Sequence, residues 1–316
     1  MVSSHPNIAE GVAARLRDEI ASKHRNDDER RIVHIGLIGR GIQGSRSPMM
    51  HELEGARQGL SYGYTLIDFD EFDISDNSLP DALILAESLG LFGLNITHPF
   101  KQTVIPYLDR LSPDAAAIGA VNTVVLRDGE RVGYNTDAWG FAESFRRRLP
   151  TAAIDSILLI GAGGAGAAVA HAALSLGAGT LRICDVDSNR AIALAQHLGK
   201  HFKADILPTG RVEIIEPGVT GIINATPIGM EKYPGLPLPR KLLRANLWVA
   251  DVVYFPPVTE LLQYAEGIGC ATLPGTGMAV FQAVMAFELF TGRRADTSAM
   301  ERYFREGRPK RTAAAS

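Results

Sequence analysis

The chain has 316 residues, 46% hydrophobic and 21% charged, enough apolar matter for about two globular domains. A formal net charge of −3 supplies no global basic field to recruit nucleic acid. No apolar run is long enough to span a membrane, the N-terminus lacks a secretory apolar region, and Cys184 and Cys270 both fall in apolar segments. These features predict a cytoplasmic protein with reduced thiols and neither a disulfide frame nor a metal centre.

Residues 1–30 read as a polar N-terminal extension. Ile8, Val12, Leu16 and Ile20 recur every four residues and predict a helix over 7–23, followed by a charged, solvated linker over 25–31. Strands and helices then alternate. A strand is expected over 34–38, a helix over 48–59, a strand over 62–69, a helix over 79–89, a strand over 93–97 and a helix over 100–111. Segments 120–126 and 131–134 flank Asp128-Gly129, a strong hairpin turn. A second alternating run predicts strands over 156–160, 180–184, 204–208, 220–224, 247–252 and 270–273, and a last helix over 277–291. Residues 307–316 read as a disordered tail. The alternation implies an α/β fold with mostly parallel sheets covered by helices.

Segment 155–168 carries the plainest signal. An apolar strand runs into Gly161-Ala162-Gly163-Gly164-Ala165-Gly166, an alanine-rich helix follows, and the next strand ends at Asp185. Glycines let the backbone turn tightly beside a pyrophosphate, and the free N–H groups of the helix end point at it. Asp185 lies near the ~20-residue spacing at which an acid binds the adenine ribose hydroxyls. A carboxylate there repels a 2′-phosphate, so the unit predicts NAD rather than NADP. Asp187 adds a second negative charge, and Arg190 in the next helix is expected to face solvent.

Four other segments carry polar groups where α/β folds place ligands. Ser45-Arg-Ser47-Pro48 opens a helix, with Ser47 as the expected N-cap and Pro48 as the first helical residue. Those serines either only cap, or join the helix N–H groups in holding a small carboxylate. In Asn95-Ile-Thr97-His-Pro99-Phe-Lys101, the lysine falls in the first turn of the expected helix over 100–111, where the dipole disfavours a cation. It is either a surface lysine, or a proton shuttle whose neutral form that dipole favours. Gly119-Ala-Val-Asn122-Thr123 and Asn135-Thr-Asp137 lie on the two arms of the hairpin. Asp137 ends the second arm and could meet Lys101; Asn-Thr-Asp is equally ordinary turn chemistry.

In the second half, Asn224-Ala-Thr226-Pro227-Ile-Gly229-Met230 follows a strand and would hold the nicotinamide end of a cofactor. Asp251-Val-Val253-Tyr254 ends another strand. Gly275-Thr-Gly277-Met278 leads into the helix with Gln282, a polar residue among apolar ones whose amide suits a polyhydroxylated ligand. His51 and His98 read as structural support.

In this order the segments resemble the shikimate dehydrogenase family, over about residues 34–292. The resemblance implies a discontinuous N-terminal α/β substrate domain (31–137 and 274–306) and a Rossmann-type NAD-binding domain with a parallel sheet (138–273). It implies that Ser45, Ser47 and Tyr254 bind the substrate carboxylate, and that Thr97, Asn122, Asp137 and Gln282 bind ring hydroxyls. Lys101 and Asp137 would be the catalytic pair, with Lys101 taking the proton from the C3 hydroxyl as hydride leaves. The cofactor would lie against Gly161, Ala162, Gly163, Gly164, Ala165, Asp185, Asn224, Thr226, Pro227, Met230, Val253, Gly275 and Met278.

Many NADP-dependent members carry Asn-Arg-Thr where this chain has Cys184-Asp-Val-Asp187. Gly39-Arg-Gly41 and His51-Glu-Leu-Glu-Gly55 likewise resemble the NAD-using quinate/shikimate branch. Serine at position 47, where some of that branch carry threonine, leaves the ranking of shikimate and quinate open. Ala138-Trp139 replaces a common glycine, with no role assigned. The expected function is thus NAD-dependent interconversion of shikimate and 3-dehydroshikimate, with activity on quinate, by a monomer or homodimer. The alternatives are an aminoshikimate-type dehydrogenase and a non-catalytic sensor of NAD and a cyclic acid; retention of both Lys101 and Asp137 argues against the sensor.

Overall fold

The computed structural model describes residues 8, 10–24, 31–210 and 215–306. The expected tail over 307–316 and nearly all of the linker lie outside them. In chain order the elements are α1 (Glu10–Lys23), β1 (Ile32–Gly39), α2 (Ser47–Arg57), β2 (Ser61–Asp68), α3 (Leu79–Ser88), β3 (Gly93–Ile96), β4 (Arg110–Leu111), α4 (Pro113–Ile118), β5 (Thr123–Arg127) and β6 (Glu130–Tyr134). There follow α5 (Asp137–Arg148), β7 (Ser156–Ile160), α6 (Gly164–Ser175), β8 (Thr180–Cys184), α7 (Ser188–Leu198), β9 (Asp205–Thr209) and β10 (Gly221–Asn224). The chain continues through β11 (Trp248–Asp251), α8 (Glu260–Gly267), β12 (Ala271–Leu273), α9 (Gly275–Thr291) and α10 (Thr297–Glu306).

Two compact units result. The first holds residues up to Ser112, Val121–Tyr134 and residues from Ala283 on; the second holds Pro113–Ala120 and Asn135–Gln282.

The first unit is built on a six-stranded sheet in the order β2-β1-β3-β5-β6-β4. Strands β1, β2 and β3 run parallel, and the β5–β6 hairpin is antiparallel. Its turn has Asp128 and Gly129 both at positive φ, the type I′ geometry that the sequence demands. β1 is buried along nearly its whole length, as a central parallel strand must be. Val33, Ile35, Leu37, Tyr62 and Tyr64 pack on Phe287 and Phe290 of α9. β2 is an edge strand, and α1 covers it: Lys23 Nζ donates to the Tyr64 carbonyl oxygen, and Glu19 accepts from Thr65 Oγ1 at 3.1 Å.

The second unit is a doubly wound Rossmann fold. Six parallel strands lie in the order β12-β11-β10-β7-β8-β9, which reverses between β7 and β10. Side chains of β7 alternate between two apolar cores. Ile157 and Leu159 join the core that takes in Val169 of α6, while Leu158 and Ile160 join Leu261 and Leu262 of α8.

The helix expected over 100–111 is absent. Residues 98–104 form turns and Ile105–Tyr107 a single 3-10 turn. Pro106 has no N–H to return to the Gln102 carbonyl, so an α-helix cannot propagate there. Lys101 therefore stands in a turn and not in the first turn of an α-helix. Two short elements, β4 and α4, take the chain onward. Helix α5, absent from the elements expected above, begins at Asp137; that residue opens a helix rather than ending a hairpin arm.

Candidate active site

In the first unit, the candidate residues gather at the C-terminal ends of β1 and β3. Thr97 N donates to the Ile38 carbonyl at 2.9 Å, and Arg40 N donates to the His98 carbonyl at 3.0 Å. Fully buried Phe100 sets its ring 4.6 Å from that of Phe69 and anchors the turn carrying Lys101. The Lys101 carbonyl accepts from Val121 N at 2.7 Å, which fixes the lysine backbone to the segment leading into Asn122.

Asn95 and Asn122 belong to one buried network. Tyr64 Oη donates to Asn95 Oδ1 at 2.9 Å, Asn95 Nδ2 donates to Thr123 Oγ1 at 3.1 Å, and Thr123 Oγ1 donates to Asn122 Oδ1 at 3.1 Å. A half-satisfied buried amide costs more than a satisfied one gains, so this chain pins both amides. Tyr64 carries no motif signal that would have singled it out.

Ser47 is the first residue of α2, and Arg46 holds the cap position with no side-chain cap bond. The expected Ser47 cap is thus displaced by one residue. Ser45 Oγ instead accepts from Ser47 N at 3.3 Å, as in a serine turn. The two hydroxyl residues stand at the helix N-terminus, where anions are favoured. His51 is fully buried with Nδ1 3.0 Å from Tyr62 Oη, and its Nε2 has no hydrogen-bond partner among the described residues. Burial lowers its pKa to about 3, which keeps it neutral, in line with a structural part. A cavity of about 240 Å³ lies among Arg15, Lys23, Gln43, Pro48, Glu52 and Tyr64, on either side of the 45–47 turn in sequence.

In the second unit, the glycine loop joins β7 to α6. Gly161 has φ +103°, and a Cβ there would lie 2.8 Å from the Ala225 carbonyl. A Cβ on Gly166 would collide with the Gly161 carbonyl oxygen, whereas Gly163 faces open space. The first two glycines close the turn against β10, and the open one leaves room beside the N-terminus of α6 for a phosphate. Asp185, at the tip of β8, accepts from Ala162 N at 2.6 Å through Oδ2 and from Asp187 N at 2.9 Å through Oδ1. Asp187 caps α7, and Arg190 is exposed with Nε 3.8 Å from Asp187. These residues fit a dinucleotide.

Across the strand-order switch, Asn224 ends β10. Its Nδ2 donates to Asp251 Oδ1 at 2.9 Å and to the Ile228 carbonyl at 3.0 Å, and its Oδ1 accepts from Thr226 Oγ1 at 2.7 Å. This shapes the loop carrying Pro227 and Met230. Asp251 also accepts from Thr259 Oγ1 at 2.6 Å and from Val253 N at 3.0 Å. Burial raises the Asp251 carboxyl to about 6 despite these donors. No sequence signal gives Asp251 a role; its buried contacts show it holding the ends of β10 and β11. Gly275 begins α9 against the Val252 carbonyl, too close for any larger residue. Met278 is buried, Tyr254 is exposed, and Gln282 Nε2 donates to the Ala279 carbonyl at 3.0 Å. Asn135 bridges Ala120 O (2.9 Å) and Ala138 N (3.2 Å), fixing the chain just before buried Asp137.

Comparison with known proteins agrees with this arrangement. The family described as "Shikimate dehydrogenase substrate binding domain" matches residues 37–124, and "Shikimate 5'-dehydrogenase C-terminal domain" matches residues 275–302. A shikimate dehydrogenase (NADP(+)) of Streptomyces avermitilis is 53% identical over 269 residues, covering 84% of this chain and 92% of the relative. A quinate/shikimate dehydrogenase (NAD(+)) of Corynebacterium glutamicum is 44% identical, covering 86% of this chain and 98% of the relative. The solved quinate dehydrogenase from Corynebacterium glutamicum in complex with NAD superposes with a TM-score of 0.81 at 43% identity, covering 87% of this chain and 99% of that one. With such identity over most of its length, in a chain that also carries the parallel six-stranded Rossmann unit, the protein belongs to the shikimate dehydrogenase family.

Proposed function

We propose that the chain is an NAD-dependent dehydrogenase that oxidises shikimate at its C3 hydroxyl to 3-dehydroshikimate, reversibly, and that quinate is a second substrate. The observation that carries the cofactor half is the Asp185 carboxylate bonded to the glycine loop, with Asp187 beside it. Two negative charges at the ribose end favour free hydroxyls over a phosphate. When bound, the nicotinamide takes the hydride. Lys101 accepts the C3 hydroxyl proton, and Asp137 is the second residue assigned to catalysis. Ser45, Ser47 and Tyr254 hold the substrate carboxylate; Thr97, Asn122 and Gln282 read the ring hydroxyls. The protein's part is orientation and proton transfer. We place the enzyme in the cytoplasm, where buried thiols such as Cys184 and Cys270 stay reduced.

A second reading, NADP dependence, is favoured by the higher identity to the Streptomyces avermitilis protein than to the Corynebacterium glutamicum one. Cofactor choice rests on a few side chains at the β8 tip, however, and there the acids support NAD.

Initial rates with shikimate and quinate, each with NAD⁺ and NADP⁺, test both halves. Turnover with NAD⁺ and little with NADP⁺ is expected, on both acids. A preference for NADP⁺ would overturn the Asp185 argument. No turnover of either acid, with NAD still bound, would move the assignment to an aminoshikimate-type substrate or a sensor.

A further inference from the structure

The hydride-transfer reading gives Ser45 and Ser47 the substrate carboxylate without saying what fixes their loop. Asp68, the last residue of β2, is buried and plays no part in the chemistry above. Its carboxylate collects four donors. Gly41 N (2.9 Å) and Asp70 N (3.1 Å) reach Oδ1; Ile42 N (3.0 Å) and Gln43 Nε2 (3.0 Å) reach Oδ2. Three of the four come from the loop that leads to Ser45.

The tie continues toward the serines. The Ile42 carbonyl accepts from Ser45 N at 2.9 Å, and Ser45 Oγ accepts from Ser47 N at 3.3 Å. Gly41 stands at φ +63°, the left-handed turn that aims the Gly41 and Ile42 N–H groups at one acceptor. Arg40 clamps the same loop from the solvent side, on Asp70, Asp76 and the Ile74 carbonyl, each at 2.7 Å. Burial pushes the Asp68 carboxyl up, but its bonds from Gln43 and from the N–H groups of Asp70, Ile42 and Gly41 outweigh this and hold it below the usual carboxylate range.

We propose that Asp68 is a positioning residue for substrate binding, a buried anion that sets the 41–45 loop so that Ser45 and Ser47 stand ready for the substrate carboxylate. The inference rests on the proposed shikimate reading. It differs from a plain stabilising role because it acts through the serines.

The test is steady-state kinetics with shikimate and NAD⁺ on the wild type, Ser45→Ala, Asp68→Asn and the double variant. Asp68→Asn should raise the shikimate KM by about tenfold and leave the NAD⁺ KM unchanged. In the double variant the loss should be smaller than the product of the two single losses, because only Ser47 is then left to position. A wild-type KM in Asp68→Asn, or effects that multiply in the double variant, would overturn the proposal while leaving the serine assignment intact. A Ser45→Ala variant with wild-type shikimate KM would instead remove the serine assignment, and the proposal with it. If Asp68→Asn does not fold, Gln43→Met deletes one donor; a KM rise of about threefold is expected, and no rise overturns the idea.

Discussion

The Asp185 carboxylate accepts a hydrogen bond from the Ala162 backbone N–H at 2.6 Å, which joins the tip of β8 to the glycine loop. One carboxylate thereby shapes the loop and presents negative charge where a ribose would sit. Asp185→Ala should raise the NAD⁺ KM by at least about tenfold and narrow the NAD⁺ to NADP⁺ ratio. Measuring both cofactors on the variant checks this; an unchanged ratio would remove Asp185 from the choice.

Lys101 sits on a turn anchored by Phe100 and by its own carbonyl bond to Val121 N. Truncation should leave that backbone in place. Lys101→Ala is expected to lose about 10²–10⁴-fold in kcat with shikimate still bound, as for loss of a general base. Calorimetric titration beside the rate assay separates the outcomes, and retained turnover would mean that another group moves the proton.

Gly166 touches the Gly161 carbonyl too closely to carry a Cβ. Gly166→Ala should force the first turn of α6 away from β7. The expected result is a lower Tm, by the equivalent of about 1–3 kcal/mol for overpacking, together with weaker NAD binding. Gly163→Ala meets nothing within the protein, so its Tm should hold while NAD binding falls. Equal Tm losses in the two variants would contradict this division of roles.

Acid should destabilise the fold, and the sign follows from three buried groups. Burial, with His24 and Lys23 nearby, lowers the His34 pKa to about 3; burial does the same to His51. Unfolded, each titrates near 6.5, so the unfolded chain binds protons that the folded chain refuses. Their contribution is whole above pH 6.5 and is lost as pH falls toward 3, by about 1.4 kcal/mol per pH unit each. Asp251 runs the other way. Its pKa is raised from 3.8 to about 6, so its charge costs stability above pH 6 and the cost fades toward 3.8. Two histidines outweigh one aspartate, and the urea midpoint should drop as pH is lowered from 6.5. His51→Gln should make that drop shallower. A midpoint that rises on acidification would refute the assignment.

Much of this was legible in the sequence because its signals are local. The strand, glycine turn and helix at 156–175 can be read from period and from the φ angles that glycine alone tolerates. Asp128-Gly129 gave its hairpin turn for the same reason. What stayed hidden depends on distant partners. Asp68 meets residues 25 to 27 positions earlier in the chain, and Tyr64 reaches Asn95 from another strand. Helix α5 escaped notice because its opening residues, Asn135-Thr-Asp137, read equally well as a turn. Residues 100–107 form turns and one 3-10 turn in place of the expected helix, because Pro106 interrupts helical hydrogen bonding there.

The turn between β8 and α7 bears on how such a chain can change over generations. Val186 is fully exposed, and Asp187 and Arg190 are exposed beside it. Substitutions there disturb no apolar core. On the proposed reading, the choice between the two nicotinamide cofactors rests on a few positions in this turn, of which Asp185 and Asp187 also hold the glycine loop and the start of α7. Cofactor preference is then written in one short solvent-facing turn, apart from the apolar layers that hold the sheet together.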